Sequence, residues 1–466
     1  MGACCSRDVA DAKFVGGLVV DEALFEDDVD DVVYGKGDRG ARIRLKGSSD
    51  RVSMFKQQGR KGVNQDAMTV WEDFTGEEDM FFCGVFDGHG PLGHRVARRV
   101  RDGLPKKLSM VIESSSRGIG SSDVEAEVGD KGDKQQTNAD EFGREEMADG
   151  REEDYGENIL LSSWEANYVR SFKEMDNELG EDTSIDSYCS GTTAVTIVKK
   201  GKHLIIANLG DSRAVLCKRG QNNQLVPIQL TVDLKPNVAS EAERIRKCKG
   251  RVFAMDQEPE VYRVWMPDEN CPGLAMARAF GDFCLKDYGL ISVPEISYRM
   301  ITPDDEFVIL ATDGIWDALS NDQVVRIVAS AKRRSLAAKL LVAHATLAWK
   351  TRFPGCKIDD CAVVCLFLKD PPRARETPRA SSGKKDVGQY RSLSNKSMKP
   401  RRDDLAGPVD SMVDKDSVID KDQDEWDALG GVNRVNSLVN VPRLHPNLSR
   451  RKTVKEPEAV AVEGVH

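Results

Sequence analysis

Val85-Phe86-Asp87-Gly88-His89-Gly90 is the stretch on which the interpretation of this sequence rests. It closes the apolar run Met80–Phe86, whose length is typical of a buried strand. A carboxylate therefore lies where the strand leaves the core, beside a glycine whose backbone can approach a ligand and a histidine that transfers protons near neutral pH. These groups suit a hard metal ion with an acid next to it, although a lone Asp-Gly pair more often marks a hairpin turn.

Composition limits the classes of protein to which this chain can belong. Its 466 residues, 40% hydrophobic and 31% charged, suffice for one large domain or two ordinary ones with tails. The net charge of -10 argues against nucleic acid as the main partner. No run of about 18 apolar residues occurs, and Met1–Ser6 lacks the features of a signal peptide. The 11 cysteines include no CxxC pair, which predicts reduced thiols in an intracellular protein.

Two later strand ends repeat the arrangement of a strand followed by an acid. The apolar run 307–312 ends at Asp313, and the predicted hairpin 194–209 is followed by Asp211. Asp317 lies one helical turn beyond Asp313 if a helix begins there, so both carboxylates could face one ion.

Two further carboxylates precede strands. Asp66 leads into the predicted strand Ala67–Trp71, and Asp360 leads into the apolar strand Cys361–Leu368. Asp360 is expected at the start of its strand if Cys361–Leu368 runs antiparallel to the strands that are followed by an acid. Lys61, five residues before Asp66, could hold a phosphate near a metal, although this signal is weak by itself.

Apolar spacing predicts the helices Gly93–Leu108, Ile159–Leu179, Pro236–Lys249, Asn321–Ala331 and Leu336–Thr351. Between the third and fourth helices lies Gly250–Gly281, a long segment of mixed and irregular character. A segment of this kind inside a compact domain is commonly a functional loop, and an ordinary surface excursion is the alternative.

Three stretches depart from the globular pattern, which extends over residues 51–369. Residues 1–50 read as an acidic leader. Glu113–Glu157 holds 15 acidic and 5 basic residues and few large apolar ones, so we predict a disordered insertion. Residues 370–466 read as a disordered tail, which is basic at its start because Pro371–Arg402 holds 10 basic and 2 acidic residues.

The chain begins with a lipidation pattern. Gly2 followed by Ser6 fits N-myristoylation, and Cys4 and Cys5 could take a palmitoyl chain. One myristate alone binds a membrane weakly, so paired signals favour an acylated leader, and a frayed start is the alternative. The basic tail could bind anionic lipid, stay inert, or be phosphorylated at Ser392, Ser394 or Thr453.

The strand-end carboxylates together predict a metal-dependent site. They are Asp66, Asp87, Asp211, Asp313 and Asp360. If a β-rich core brings them together, their like charges are costly unless cations neutralise them. All-oxygen donors without a Cys/His cluster favour Mg²⁺ or Mn²⁺ over Zn²⁺. Two such ions can lower the pKa of a shared water and clamp the oxygens of an in-line displacement at phosphorus, which is phosphoester hydrolysis.

The order of the motifs resembles that of the metal-dependent type 2C serine/threonine protein phosphatases, most closely the plant members. The motifs are Gly-Val-Asn-Gln-Asp, Phe-Asp-Gly-His-Gly, Ser-Gly-Thr-Thr-Ala, Asn-Leu-Gly-Asp-Ser-Arg, Ala-Arg-Ala-Phe-Gly-Asp, Ala-Thr-Asp-Gly-Ile-Trp-Asp and Asp-Asp-Cys-Ala. The resemblance covers Arg51–Lys369 and is specific because seven motifs keep one order. It implies an α+β fold, a four-layer α-β-β-α sandwich with two central antiparallel sheets and the site at one edge.

The resemblance also implies a role for each matched residue. Two Mg²⁺ or Mn²⁺ ions are expected, and the groups that would bind them directly are Asp87, the Gly88 carbonyl, Asp313 and Asp360. Asp66 would act through bound water, and a weaker third ion would involve Asp211 and Asp317 together with Asp313. His89 matches the general acid, Lys61 the phosphate-binding position and Gly250–Gly281 the flap beside the substrate groove.

Three positions depart from the pattern of many relatives. Gln65 stands where a Glu is common, and Lys61 replaces an Arg, so a point charge replaces a bidentate fork. Cys361 stands where an Asn commonly follows the last Asp. None of these removes a direct metal ligand, so we expect an active enzyme with weaker metal or phosphate binding.

The expected function is hydrolysis of phosphoserine and phosphothreonine in proteins by a metal-activated water. The alternative from another class is a membrane-tethered pseudophosphatase, a scaffold that binds phosphoproteins without turnover, and a hydrolase of small phosphoesters is a second. Expected partners are phosphoprotein substrates and, through the N-terminal lipid, a membrane, with no nucleic acid and a monomeric state. The expected location is intracellular, at the plasma membrane or in the cytoplasm, with the nucleus as an alternative.

Overall fold

A computed structural model describes residues 34–37, 40–118, 149–370 and 437–438. The strands are β1 (Tyr34–Lys36), β2 (Arg42–Arg44), β3 (Gly47–Ser48), β4 (Val52–Gln57), β5 (Ala67–Glu72), β6 (Met80–Phe86), β7 (Gly88–His89), β8 (Gly191–Thr192), β9 (Ala194–Lys200), β10 (His203–Leu209), β11 (Arg213–Arg219), β12 (Leu225–Gln229), β13 (Arg251–Met255), β14 (Glu258–Trp265), β15 (Pro272–Leu274), β16 (Phe280–Gly281), β17 (Glu295–Met300), β18 (Asp305–Ala311) and β19 (Cys361–Phe367). The helices are α1 (Gly93–Gly118), α2 (Asp149–Glu181), α3 (Ala239–Lys247), α4 (Phe283–Lys286), α5 (Asp313–Trp316), α6 (Asn321–Ser330) and α7 (Ala337–Arg352).

Two large antiparallel sheets form the centre of the molecule. One has the strand order β1-β2-β5-β6-β9-β10-β17 and the other β12-β11-β18-β19-β4-β3. Strand β6 shows why these sequences are apolar along their whole length. Its residues Met80, Phe82 and Phe86 contribute to the cluster under α1 and α2, whereas Phe81 and Val85 contribute to the cluster between the two sheets. Because successive side chains point to opposite faces, a strand buried on both faces is continuously hydrophobic.

The helices complete four layers. α1 and α2 cover the outer face of the seven-stranded sheet, and α6 and α7 cover the outer face of the six-stranded sheet. α6 begins at a capping box in which Ser320 and Gln323 satisfy each other's backbone N–H groups, a common helix start. The predicted α+β fold, a four-layer α-β-β-α sandwich with two central antiparallel sheets, is therefore confirmed.

The segment predicted to be irregular, Gly250–Gly281, contains a small antiparallel sheet of β13, β14 and β15. We call these three strands the flap sheet. The rings of Phe253 and Trp265 stack in it with centroids 4.9 Å apart. Its strands carry several charged residues and contain register shifts, so they lack the sustained alternation by which a strand is detected in sequence.

The boundaries of the predicted acidic insertion and leader differ from the structure. Residues 113–118 continue α1 and residues 149–157 belong to α2, so both ends of the insertion are helical. β1 pairs with β2, and β2 pairs with β5, so the folded domain begins before Arg51. A helix is cooperative and extends when one end is anchored by packing, which composition does not reveal.

Several predictions fall outside the described residues. These are the lipidation pattern at Gly2, the remainder of the acidic insertion and most of the C-terminal tail. Within the part of the chain that the structure covers, no helix is long and apolar enough to cross a membrane.

Candidate active site

Asp87 lies where β6 ends, and the Thr-Thr pair on the neighbouring chain segment holds its backbone. The Asp87 amide donates to Thr193 Oγ1 at 3.0 Å, and Thr192 Oγ1 donates to the Asp87 carbonyl at 3.0 Å. The Thr193 amide donates to the same carbonyl at 2.9 Å. The Ser-Gly-Thr-Thr motif is therefore explained by its bonds to the main chain of Asp87, which leave the carboxylate unconstrained by backbone contacts.

Gly88 is required at its position because other backbone atoms approach it closely. A Cβ there would lie 2.5 Å from the Gly93 carbonyl oxygen and 2.6 Å from the Gln65 carbonyl oxygen. Gln65 also donates through Nε2 to the Gly90 carbonyl at 2.9 Å. A glutamate could not donate this bond, so the glutamine stabilises the Asp-Gly-His-Gly turn in a way that a carboxylate could not.

His89 is paired with an aspartate from a distant part of the chain. Its Nε2 lies 2.6 Å from Asp282 Oδ2, and both side chains are buried. Gly191 makes room for the pair, since a Cβ there would lie 2.1 Å from Asp282 Oδ2. His89 Nδ1 and Asp282 Oδ1 are buried and have no hydrogen-bond partner among the described residues. The pair therefore fixes the ring and leaves Nδ1 for another group.

Asp66 is held by a threonine from the Ala-Thr-Asp-Gly motif. Thr312 Oγ1 donates to Asp66 Oδ2 at 2.8 Å and accepts from the Ala362 amide at 2.9 Å. This threonine thereby ties the carboxylate before β5 to the start of β19 and stands directly before Asp313. Hence the predicted positions Asp66, Asp313 and Asp360 lie together at one edge of the two sheets.

The two aspartates before β19 have different surroundings. The motif match indicates Asp360 as the ligand, but both oxygens of Asp360 accept backbone N–H bonds, from Gly59 at 2.7 Å and from Gln65 at 2.8 Å. Asp359 Oδ2 instead contacts Lys61 Nζ at 2.5 Å. The structure thus gives Asp360 the role of holding the loop 59–65. It brings Asp359 to the carboxylates of Asp66, Asp87 and Asp313, and we call these four side chains the acidic cluster.

The acidic cluster raises the pKa of its members. Burial raises the pKa of Asp87 well above its usual range, and the charge of Asp313 adds to this. Burial and neighbouring carboxylates likewise raise the pKa of Asp66. Burial also raises the pKa of Asp359 well above its usual range, although the ammonium of Lys61 acts against this shift. Each carboxylate is therefore destabilised in its charged form by the others.

Lys61 is the cation next to this cluster. Burial by itself would lower the pKa of its ammonium group, but Asp359 and then Asp313 raise the pKa above the usual lysine value. Lys61 therefore stays protonated and carries a full positive charge beside the carboxylates.

Asp211 and Asp317 lie to one side of the cluster. Burial, opposed by Lys235, raises the pKa of Asp211 to about 7, and Asp313 contributes to the rise. Asp211 Oδ1 is buried without a hydrogen-bond partner among the described residues. Asp317 follows α5 and is exposed. Thus the predicted Asp211, Asp313 and Asp317 lie near one another, and their exposure increases from the buried Asp211 to the exposed Asp317.

The donor set fits a hard divalent cation. It consists of carboxylate oxygens whose pKa is raised by burial and by neighbouring carboxylates, and one of them, Asp211 Oδ1, has no hydrogen-bond partner among the described residues. Across residues 34–37, 40–118, 149–370 and 437–438, no three His, Cys, Asp or Glu side chains already stand close enough to enclose a metal ion. The carboxylates therefore ring the site without converging on one point.

Sequence reasoning missed three contacts of this site. Asp359 directly precedes Asp360, the residue that the motif indicates. The sequence does not show in which direction the side chain of Asp359 points. The partner of His89 is 193 residues away in sequence, so local patterns could not pair it with Asp282. Thr312 precedes Asp313 directly, and its position in a motif was the one signal that could have identified it.

Comparison with known proteins gives consistent matches. A family model described as Protein phosphatase 2C matches residues 132–348. "Probable protein phosphatase 2C 65" of Arabidopsis thaliana is 50% identical over 381 residues, covering 81% of this chain and 90% of that protein. "Probable protein phosphatase 2C 73" of Oryza sativa subsp. japonica is 45% identical over 456 residues, covering 97% of each.

A solved structure shares the fold. The crystal structure of serine-threonine phosphatase 2C from Toxoplasma gondii aligns with a TM-score of 0.56 at 24% identity, covering 72% of this chain and 99% of that one. This likeness shows that the two chains share the fold.

Proposed function

The chain belongs to the plant protein phosphatase 2C family of metal-dependent serine/threonine phosphatases, and from this premise we propose how its own residues carry out the hydrolysis. The substrate class is phosphoserine and phosphothreonine in proteins. We propose two Mg²⁺ or Mn²⁺ ions at the acidic cluster, with Asp87, the Gly88 carbonyl, Asp313 and Asp359 as ligands. Asp66 would take part through bound water, and Asp211 and Asp317 would hold a weaker third ion together with Asp313.

One observation supports the metal requirement more than any other. Asp66, Asp87 and Asp359 are buried together, and burial, reinforced by neighbouring carboxylates, raises the pKa of each. Burying several like charges is unfavourable unless a cation compensates for it, so a site of this kind is built for a cation. When bound, divalent ions supply a water of lowered pKa and neutralise the oxygens of the phosphoryl group.

Asp359 replaces Asp360 in this proposal because of its contacts. Asp360 already accepts two backbone N–H bonds, which occupy one lone pair on each oxygen and fix its orientation. Asp359 faces Lys61 and the acidic cluster. On this assignment Asp360, rather than Cys361, stands where many relatives carry asparagine.

His89 is proposed as the general acid that protonates the departing serine or threonine oxygen. Asp282 accepts from Nε2, so the proton to be transferred would be the one on Nδ1, which is buried and has no protein partner in the described structure. Asp282 also stabilises the charged ring before the transfer. Its contribution is to orient the acid, as the carboxylate does in other His-Asp pairs.

Lys61 is proposed to attract the phosphate. It is a protonated ammonium at the rim of the cluster, 2.5 Å from Asp359 Oδ2. A lysine offers a point charge, so it neutralises the phosphate oxygens without the bidentate geometry of an arginine.

The test is phosphate release from a phosphothreonine peptide by the full chain with Mn²⁺, Mg²⁺ or excess EDTA. We expect turnover only with a metal and its loss in Asp87→Asn. Asp50→Asn makes the same chemical change at an exposed position outside the proposed ligand set, and it should retain turnover. Peptide binding without turnover by folded protein under every metal condition would instead support the scaffold alternative.

The remaining expectation concerns the N-terminus, which lies outside the described residues. We propose that Gly2 is myristoylated and Cys4 or Cys5 palmitoylated, which would place the enzyme at a membrane surface. Gly2→Ala should move the protein from the membrane fraction to the soluble fraction of expressing plant cells. Unchanged partitioning would reject the anchor.

A further inference from the structure

Two residues from the distant C-terminal segment lie on the flap sheet. The Ala275 amide donates a 2.8 Å hydrogen bond to the Ser437 carbonyl, directly after the end of β15. Leu438 is only 6% exposed. The chain therefore returns to the folded domain at this point, on a part of the surface separate from the acidic cluster.

Leu438 enters an apolar cluster between the flap sheet and the helices α3 and α4. The other members of this cluster include Ile245, Val264, Leu274, Met276, Cys284 and Leu285. These residues come from β14, β15, α3, α4 and the segment after β15. A side chain from residue 438 thus completes a core whose remaining members lie between residues 188 and 290.

A buried ion pair lies next to the docked backbone. Arg263 and Glu258 are 1% and 5% exposed, and Arg263 Nη2 contacts Glu258 Oε2 at 2.8 Å. Arg263 Nη1 donates to the Gly273 carbonyl at 3.0 Å and lies 3.5 Å from the Ser437 carbonyl. The guanidinium is therefore aimed at the acceptor that the C-terminal segment provides, so the contact uses a built polar group as well as apolar burial.

The energy of this docking is small. Burial of the Leu438 side chain and the hydrogen bond to Ser437 favour docking. Ordering the two docked residues opposes it. The docked state is therefore favoured by a limited margin, and a change at Leu438 should shift the population.

The docked position is connected to the catalytic centre through the main chain. Ala275 follows β15, and the same segment continues to β16 and Asp282, the partner of His89. The flap sheet and this segment share the cluster that Leu438 completes. A change in the packing of that cluster would therefore reach the flap sheet first.

We propose that the flap sheet carries a docking pocket for this chain's own C-terminal segment, with Leu438 as the anchor, and that docking sets the position in which the flap sheet receives protein substrates. On this proposal, the hydrolysis of small phosphoesters, which need only the acidic cluster, is independent of docking. The part that concerns substrates rests on the proposed phosphatase function, whereas docking itself is measured without any activity.

The docking test uses amide hydrogen exchange of the full-length chain in the flap sheet. Leu438→Ala should increase exchange in β13–β15 by about tenfold, because it removes most of the apolar burial that holds the C-terminal segment on the flap sheet. Leu405→Ala makes the same chemical change elsewhere in the C-terminal tail and should leave this exchange unchanged. A synthetic peptide of residues 432–443 should restore protection to Leu438→Ala, whereas the same peptide with alanine at 438 should not. Equal exchange in Leu438→Ala and the wild type would overturn the proposal.

The activity test compares two substrates with the same variants. Leu438→Ala should raise the KM for phosphocasein at least about threefold and leave kcat/KM for p-nitrophenyl phosphate unchanged, since on this proposal only the protein substrate depends on docking. Equal loss on both substrates would overturn the link to protein substrates. Absence of all turnover in the wild type would reject the proposed function and leave the exchange result to decide docking.

Discussion

The catalytic edge and the flap sheet both bury charged side chains, but they do so in opposite ways. At the edge, burial and the like charges of Asp66, Asp87 and Asp359 raise the pKa of each carboxyl group, and the ammonium of Lys61 offsets only part of this negative charge. In the flap sheet, Arg263 and Glu258 neutralise each other with a contact of 2.8 Å. A balanced pair is complete within the protein, whereas a cluster of one sign calls for a cation from outside. This difference distinguishes buried charges that stabilise the fold from buried charges that serve function.

The largest expected effect separates the two adjacent aspartates at the edge. Asp359→Asn should lower kcat for a phosphothreonine peptide at least about 10³-fold, because it removes a ligand charge. Asp360→Asn should stay within about tenfold, since one amide oxygen still accepts a backbone N–H bond. Steady-state kinetics at saturating Mn²⁺ measures both. The reverse ranking would return the ligand role to Asp360.

The second prediction concerns the loss of one member of the buried ion pair in the flap sheet. Arg263→Met leaves Glu258 buried without its partner and should lower the free energy of unfolding by about 3–5 kcal/mol. Urea denaturation followed by circular dichroism measures this loss. The double variant Arg263→Met/Glu258→Leu should recover much of the stability, because no charge is then left unpaired. No difference between the single and double variants would contradict the account of a structural pair.

How far the sequence predicts this molecule depends on which contacts are local. The strand β6 and the turn after it were predictable, because an apolar run and an Asp-Gly-His-Gly motif are local signals. The choice between Asp359 and Asp360 was not, since neighbouring residues on an extended chain point in opposite directions. The flap sheet and the Leu438 contact depend on pairing between distant segments, which no short pattern records.

The third prediction concerns pH in the absence of metal. Asp211 has a pKa of about 7 in the folded chain against an ordinary value of 3.8. Between these values the folded state binds more protons than the unfolded state, so the free energy of unfolding falls as pH rises through this window. The decrease from this one group is up to about 4 kcal/mol. Urea denaturation in EDTA at pH 5 and pH 8 measures it.

A variant provides the control for this pH effect. Asp211→Asn removes the titrating group, so the stability of the metal-free protein should change less between pH 5 and pH 8 than in the wild type. Added Mg²⁺ should raise the stability of the wild type at pH 8, since a cation compensates for the charged carboxylates. A wild type that is more stable at pH 8 than at pH 5 in EDTA would contradict the expected sign.

The smallest expected effect concerns the pair of His89 and Asp282. Asp282→Asn should lower kcat about 10²-fold, because the amide holds His89 less firmly and does not stabilise the charged ring. KM for the phosphothreonine peptide should change little. A pH–rate profile should show the alkaline limb, where the general acid loses its proton, displaced to lower pH relative to the wild type. Unchanged kcat and profile would remove Asp282 from the mechanism.

The most direct test of the central claim is a calorimetric titration of Mn²⁺ into the metal-free full-length chain. The account predicts binding to the wild type, its loss in Asp87→Asn and Asp359→Asn, and its retention in Arg263→Met and Asp360→Asn when these are folded. This result would show that the acidic edge holds cations and that the balanced pair of the flap sheet does not. No binding to the folded wild type, or binding that survives in both Asp87→Asn and Asp359→Asn, would contradict it.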